Sequence, residues 1–201
     1  SEEVVEFPRG SWFHTARGFR EYYRLPDPEL QSRTVAGHAA VLRETLEQAV
    51  LERLMSDVPL GCFLSGGLDS SIIAAITARE IPGLHTFAVG LEASPDIEAA
   101  RVVSKHIGSI NHEYVMSESE IFEKLPEIIY SLESFDQDLV RSAIPTWFCA
   151  RLAAQEVKVI LTGEDADELF ADAQGHGVRP HGAVGGRASR IRRRDEDRGA
   201  V

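Results

Sequence analysis

The chain has 201 residues, 43% of them hydrophobic and 26% charged, which is typical of a globular protein with a single good-sized core. Its net charge of −11 argues against a nucleic-acid partner, because most of the surface would repel a polyanion. The sequence shows no membrane-spanning run, no leader-like N-terminus and no disulfide framework, so we expect a cytoplasmic protein that binds neither nucleic acid nor membrane.

The first elements are two short β-prone runs and a long helix. Residues 4–13 and 19–23 cannot bury themselves, so we interpret them as the end of a larger domain. Residues 34–55 carry apolar side chains at steps of three and four, which predicts an amphipathic helix. Its apolar positions are Val35, Ala39, Leu42, Leu46, Val50 and Leu54.

The rest of the chain alternates short apolar runs with helix-forming segments. Strands are predicted at 60–64, 84–90, 111–115 and 157–161, and helices at 68–79, 95–107, 118–132 and 143–155. This alternation predicts an α/β fold, a parallel sheet with helices on both faces. Ligands of such sheets bind beyond the carboxyl ends of the strands, where the strand order reverses. That rule selects the segments after Leu64, Gly90 and Leu161.

A glycine-rich turn follows the first of these strands and reads Ser65-Gly66-Gly67-Leu68-Asp69-Ser70-Ser71. Its two glycines permit positive φ and a close approach of amide groups, and Ser70 or Ser71 is predicted to cap the next helix. Helix N-termini of this kind bind phosphate. Because Asp69 would repel a phosphate, the pattern indicates a bridging Mg²⁺. A structural turn with a solvated acid is the alternative.

A second acidic segment, Thr162-Gly163-Glu164-Asp165-Ala166-Asp167-Glu168, follows the last predicted strand. Packed carboxylates raise one another's pKa unless a cation or solvent relieves them. A solvated acidic helix N-terminus is the alternative interpretation. If this segment lies opposite the glycine-rich turn, Asp69 and Asp167 bracket a Mg²⁺ ion, which prefers oxygen ligands.

The turn resembles the PP-loop of enzymes that cleave ATP between its α- and β-phosphates. Motifs on either side of it extend the resemblance to the glutamine-hydrolysing asparagine synthetase family. These motifs lie at residues 54–59, 87–91, 94–96, 133–136, 141 and 161–164. By this resemblance, residues 34–171 are an incomplete synthetase domain of the adenine nucleotide alpha-hydrolase-like fold. Residues 1–33 are a remnant of the N-terminal glutaminase domain, and residues 172–201 are a non-family tail expected to be disordered.

The resemblance implies a carbon–nitrogen ligase that activates aspartate with ATP to β-aspartyl-AMP, releases pyrophosphate, and forms asparagine with ammonia from glutamine. Adenine would be held through the backbones of Leu64 and Val89. The pyrophosphate would be seated by Ser65, Gly66, Gly67, Asp69 and Ser70. The nucleotide would also touch Thr162 and Gly163, Mg²⁺ would bind Asp69 and Asp167, and catalysis would involve Glu164 and Arg141.

A β-lactam synthetase or another acyl-adenylating ligase, and a non-catalytic ATP-binding fragment, are the alternatives to this function. The family's glutaminase uses an N-terminal cysteine, whereas this chain begins Ser1-Glu2-Glu3. Cys62 and Cys149 fall in a predicted strand and helix, so neither is expected to be a reactive thiol. We therefore expect a chain truncated at both ends, weakly active or inactive by itself; the sequence is compatible with an oligomer.

Overall fold

The computed structural model describes residues 7–24, 34–164 and 166. The chain divides into two compact units, Ser1–Thr45 and Leu46–Val201. In the first unit, strands β1 (Ser11–His14) and β2 (Gly18–Glu21) form an antiparallel hairpin in which Trp12 lies opposite Arg20. The described part of each predicted run therefore contains a strand, whereas the assignment of residues 1–33 to a domain remnant stays a prediction.

Helix α1 (Val35–Leu51) confirms the predicted helix but not its predicted buried face. It begins after Thr34, whose Oγ1 accepts a hydrogen bond from the Gly37 N–H at 3.2 Å. Of the six apolar positions predicted, only Val50 is fully buried, and Val35 is 88% exposed. Periodic spacing is enough to make a helix amphipathic, but burial also needs a covering element, and among the described residues α1 is covered only near its end.

The second unit contains four parallel strands in the order β5-β4-β3-β6. Their bounds are β3 (Leu60–Phe63), β4 (His85–Leu91), β5 (Ile110–Met116) and β6 (Val159–Leu161). Cys62 of β3 lies between Thr86 of β4 and Leu161 of β6 in the register. Successive strands lie on one side of β3, while β6 returns to its other side. The strand order therefore reverses between β3 and β6.

Helices cover both faces of this sheet, as predicted. They are α2 (Leu68–Glu80), α3 (Pro95–Ile107), α4 (Glu118–Leu132) and α5 (Gln137–Ala153). On one face, Cys62 and Leu64 pack with Ala74 of α2 and Ala100 of α3. On the other face, Phe87 of β4 packs against the end of α5, and α4 packs beside α5. The α/β fold with a parallel sheet between two helical layers is thus confirmed.

Helix α5 starts earlier than its predicted start at residue 143. Asp136 caps it, because its carboxylate accepts hydrogen bonds from the N–H groups of Asp138 and Leu139 at 3.0 and 3.1 Å. The helix continues through Pro145, whose missing N–H removes one bond to the Arg141 carbonyl. None of the helices that the structure describes is long and apolar enough to cross a membrane.

Candidate functional site

The turn between β3 and α2 requires glycine at one of its two glycine positions. Gly66 has a φ of +79°, and a β-carbon there would stand 2.4 Å from the Ala99 Cβ and 2.6 Å from the Ala100 nitrogen. Gly67 has a φ of −67°, and a β-carbon there would meet only the Ser65 Oγ, at 3.3 Å. The expectation of positive φ is therefore right for Gly66 and wrong for Gly67. Gly67 instead leaves open space beside the loop.

The sequence did not point to Ala99 and Ala100 as partners of this loop. They lie in α3, well away from the turn along the chain, and the first half of that helix presses against Gly66. A signal was present in the sequence, since a pair of small residues on a helix permits such an approach. Local spacing alone could not say which loop they would meet.

Helix α2 begins without a side-chain cap, and this makes its N-terminus available to a ligand. Gly67 occupies the N-cap position with no side-chain hydrogen bond, whereas the side chains of Ser94, Ser117 and Asp136 cap α3, α4 and α5. The first backbone bond of α2 runs from the Ser71 N–H to the Gly67 carbonyl at 3.1 Å. The N–H groups before Ser71 have no partner within the helix and can donate to an anion.

The predicted capping role of Ser70 or Ser71 is wrong, because both hydroxyls donate to a carbonyl. Ser71 Oγ donates to the Gly67 carbonyl at 2.5 Å, and Ser70 Oγ reaches the same oxygen at 3.3 Å. A cap would instead accept a hydrogen bond from a first-turn N–H. Without that acceptor, the first-turn N–H groups of α2 lack a side-chain cap, and Asp69 is the acidic side chain that lies in this turn.

Ser70 has a different role, which is to close the loop upon itself. Its Oγ lies 2.9 Å from the Ser65 Oγ and accepts from the Ser65 N–H at 3.3 Å. The Ser65 Oγ in turn accepts from the Gly67 N–H at 3.3 Å. These bonds hold the start of the loop to the first turn of α2. The backbone amides are thereby positioned before any ligand arrives.

The segment after β6 lies directly against this loop. A β-carbon on Gly163 would stand 2.8 Å from both the Asp69 carbonyl carbon and the Ser70 nitrogen. Thr162 Oγ1 accepts from the Glu164 N–H at 3.4 Å, which turns the chain just after the strand. The structure therefore brings Ser65, Gly66, Gly67, Asp69 and Ser70 together with Thr162 and Gly163 at the reversal of strand order. This is the crevice in which open α/β sheets bind ligands.

Leu64 directly follows the last residue of β3, and Val89 lies two residues before the end of β4. The Leu64 N–H donates to the Phe87 carbonyl at 2.8 Å, which extends the pairing of β3 with β4 up to the loop. Leu64 is buried and Val89 is half-buried, opposite Tyr114 of β5. Both residues therefore lie near the carboxyl edge of the sheet.

The acidic residues at this edge are exposed. Asp69 lies in the first turn of α2, and no ion pair is formed by its carboxylate among the residues that the structure describes. Glu164 follows Gly163 and is also exposed. Asp167 lies outside the described residues, so its pairing with Asp69 stays a prediction. A carboxylate, serine hydroxyls and open N–H groups fit the oxygen ligands of Mg²⁺ and the oxygens of a phosphate.

Arg141 is not joined to these loops by any hydrogen bond or ion pair in the described part of the chain. Its side chain is 78% exposed, and its guanidinium lies 3.5 Å from the Asp138 carboxylate, three residues earlier in α5. That contact is the surface salt bridge that an exposed arginine commonly forms. The role predicted for Arg141 in catalysis stays a prediction.

Neither cysteine resembles a nucleophile. Cys62 faces the core from β3, and burial raises the pKa of its thiol to about 11. Burial likewise raises the pKa of Cys149, in α5, to about 12. Because the thiolate is the reactive form, both side chains are inert packing groups near neutral pH, as predicted.

Comparison with known proteins covers the loops described above. Residues 41–194 match the asparagine synthase family. This match runs past residue 171, and the domain boundaries inferred from the sequence stay predictions. The NMN synthetase of Francisella tularensis is a structural neighbour at 13% identity and a TM-score of 0.42, covering 58% of this chain and 52% of that chain. PAPS reductase from Candida auris is another, at 19% identity and a TM-score of 0.39, covering 66% and 69%.

Two of the curated relatives illustrate the similarity. Asparagine synthetase [glutamine-hydrolyzing] of Asparagus officinalis is 37% identical over 84% of this chain and 31% of its own length. Asparagine synthetase B of Escherichia coli (strain K12) is 39% identical over 83% of this chain and 33% of its own length. The chain thus spans about a third of the length of the relatives it matches. On the family match and these identities, the chain belongs to the asparagine synthase family.

Proposed function

We propose that the crevice between the loops after β3 and β6 binds Mg·ATP. We further propose that it serves an asparagine synthetase reaction in which ATP activates aspartate, pyrophosphate leaves, and glutamine-derived ammonia forms the amide. The contact of Gly163 with the Asp69–Ser70 peptide carries this proposal. It joins two motifs that lie far apart in the sequence into one pocket edge, beside an uncapped helix N-terminus.

The geometry of the loop supports the binding of pyrophosphate at the start of α2. The first-turn N–H groups of α2 point out of the helix end, and the loop conformation is fixed by Ser65 and Ser70. Donors held in advance of reaction stabilise developing negative charge without a cost of reorganisation. The loop is therefore suited to stabilise the negative charge that develops on the leaving pyrophosphate.

Asp69 and Asp167 are the proposed ligands of Mg²⁺, which when bound would neutralise charge on the phosphates. Asp69 would otherwise oppose an anion at the N-terminus of α2, since a lone carboxylate repels a phosphate. Its exposure and lack of an ion-pair partner among the described residues leave its oxygens open to a cation. Mg²⁺ binding would therefore explain why a carboxylate lies in this turn, whereas a purely structural turn would not require one.

The other proposed roles use backbone and carboxylate groups at the same edge. Leu64 and Val89 would hold adenine through their backbones, and Thr162 and Gly163 would touch the nucleotide. Glu164 would take a proton from the attacking ammonia, a role in which a placed carboxylate contributes roughly 10²–10⁴-fold. The relatives named above are asparagine synthetases, so they favour aspartate over the acceptor of a β-lactam synthetase.

The proposal is tested by calorimetric titration of ATP with and without Mg²⁺. We expect Mg²⁺ to strengthen binding to the wild-type chain, and Asp69→Asn to remove most of that gain. The matched control is Glu118→Gln, because Glu118 also lies in the first turn of a helix, but one that Ser117 caps. If Asp69→Asn keeps the full Mg²⁺ dependence, the metal role of Asp69 is wrong. If the wild type binds no ATP, the nucleotide site itself is wrong.

A further inference from the structure

Two histidines meet on the sheet face that α5 covers, at the edge opposite the nucleotide crevice. His85 opens β4, and His112 of β5 lies opposite Phe87 in the parallel register. Alternate residues of a strand face the same way, so His85 and Phe87 share this face. The His85 Nδ1 lies 2.9 Å from the His112 Nε2, and the two rings are stacked with centroids 5.0 Å apart.

A carboxylate from the end of α5 joins the pair. Glu156 lies between Ala153 and Val157, which are both buried in the cluster around Phe87, so the backbone carrying Glu156 is held over this face. One ligand atom from each of His85, His112 and Glu156 lies within 4.8 Å of the others. In the described ranges, this is the one group of three or more histidine, cysteine or acidic side chains that converges in this way.

We infer that His85, His112 and Glu156 form a binding site for a divalent transition metal of the Zn²⁺ class. Two imidazole nitrogens and one carboxylate oxygen are a ligand set that suits Zn²⁺, with water in the remaining position. A set rich in nitrogen does not suit Mg²⁺ or Ca²⁺, which prefer oxygen ligands. Half-buried rings and an exposed carboxylate leave the site accessible to an ion from solvent.

The two nitrogens already lie near the separation that a bound metal requires, whereas the Glu156 carboxylate, within 4.8 Å of them, would have to move closer. Tetrahedral Zn²⁺ with nitrogen ligands at 2.0–2.1 Å separates two such nitrogens by about 3.3 Å. The observed 2.9 Å would therefore widen by a few tenths of an ångström. Without metal, one facing nitrogen must carry a proton to donate to the other. To bind the ion, that nitrogen must give up its proton, which the second nitrogen of the same ring can carry instead.

Such an ion would link three separate elements at the amino edge of the sheet. It would join the start of β4 and the middle of β5 to the turn after α5. Four steps of a strand separate His85 from Val89, the proposed adenine contact on β4, or about 13 Å, so the ion would lie apart from the nucleotide. Its expected effect is on stability, because a ligand that binds only the folded chain stabilises it.

The test is a calorimetric titration of Zn²⁺ into the full 201-residue chain, followed by thermal melting with and without Zn²⁺. We expect one site with a dissociation constant in the micromolar range or tighter, and a higher melting temperature when it is filled. Glu156→Gln should weaken this site at least about tenfold, and His112→Asn should abolish it. With Co²⁺ as a probe, the absorption bands of a tetrahedral site should appear in the wild type and vanish in His112→Asn.

Matched controls are His106→Asn and Glu127→Gln, which remove an exposed histidine and an exposed glutamate outside the cluster. Both should keep the wild-type affinity. Glu156 is exposed, so Glu156→Gln should fold even if His112→Asn does not. If Zn²⁺ does not bind at about 100 µM, or if Glu156→Gln binds it as tightly as the wild type, the site is disproved.

Discussion

Gly163 and Asp69 are in close contact at the proposed nucleotide crevice: a β-carbon on Gly163 would stand 2.8 Å from the Asp69 carbonyl carbon. Their segments follow β6 and β3, which are neighbours in the sheet but are separated in the sequence by four helices and two strands. Only a residue without a side chain permits this approach. A side chain introduced at Gly163 is therefore expected to push the two loops apart.

Gly163→Ala should mainly weaken ATP binding and should have a smaller effect on the free energy of unfolding. The new methyl group would collide with backbone atoms of α2, and the short segment after β6 can retreat from them more easily than the helix can. We expect a loss of about tenfold or more in ATP affinity, measured by calorimetry, because a misplaced loop no longer completes the crevice.

The control for this substitution is Gly108→Ala. Gly108 ends α3 with a φ of +71° and has nothing within 4 Å of its β-carbon position. Gly108→Ala should lower the free energy of unfolding by about 1 kcal/mol through backbone strain and leave ATP affinity unchanged. Equal ATP binding by Gly163→Ala and the wild type would contradict the placement of the two loops.

Gly66→Ala should destabilise the chain more than Gly108→Ala does. Both positions have a left-handed backbone, but only Gly66 also faces Ala99 and Ala100 at less than 3 Å. Overpacking typically adds 1–3 kcal/mol to the strain of about 1–2 kcal/mol. Urea unfolding curves of the two variants measure the difference, and similar midpoints would show that α3 yields easily.

Ser70→Ala and Ser71→Ala are neighbours with different expected effects. Ser70 Oγ bonds to Ser65 across the loop, whereas Ser71 Oγ bonds only to the Gly67 carbonyl of its own helix. Loss of the first hydroxyl frees the loop and should reduce ATP affinity severalfold, while loss of the second should have little effect. The ratio of the two dissociation constants is the measurement, and a ratio near one would argue against a loop-closing role for Ser70.

Both cysteines should resist alkylation in the native chain. With pKa values of about 11 and 12, less than roughly a thousandth of either thiol is ionised at pH 8, and both are buried. Iodoacetamide followed by mass spectrometry should show no label until the chain is unfolded. Since both pKa values are raised by folding, the thiols favour the folded state below pH 9 and lose that contribution as the pH rises toward 11 and 12.

The sequence by itself determined the succession of strands and helices and the position of the glycine-rich turn. Apolar periodicity and glycine punctuation are local properties, so β3, α2 and α4 lie within a residue or so of where they were predicted. The start of α5 was missed because the Asp136 cap outweighs the proline inside the helix. The buried face of α1 was missed because burial depends on what covers a helix.

Only the tertiary structure decided which segments meet. Strand pairing is non-local, so no spacing in the sequence says that β6 returns beside β3 and brings Gly163 against Asp69. The tertiary structure also decides that position 66 must be glycine, because residues of α3 leave no room there for a side chain. It likewise decides the meeting of His85 and His112, which the register of β4 with β5 brings together under the end of α5. The physical reason is that parallel strands are joined by crossovers, and the crossovers separate in sequence what the sheet places side by side.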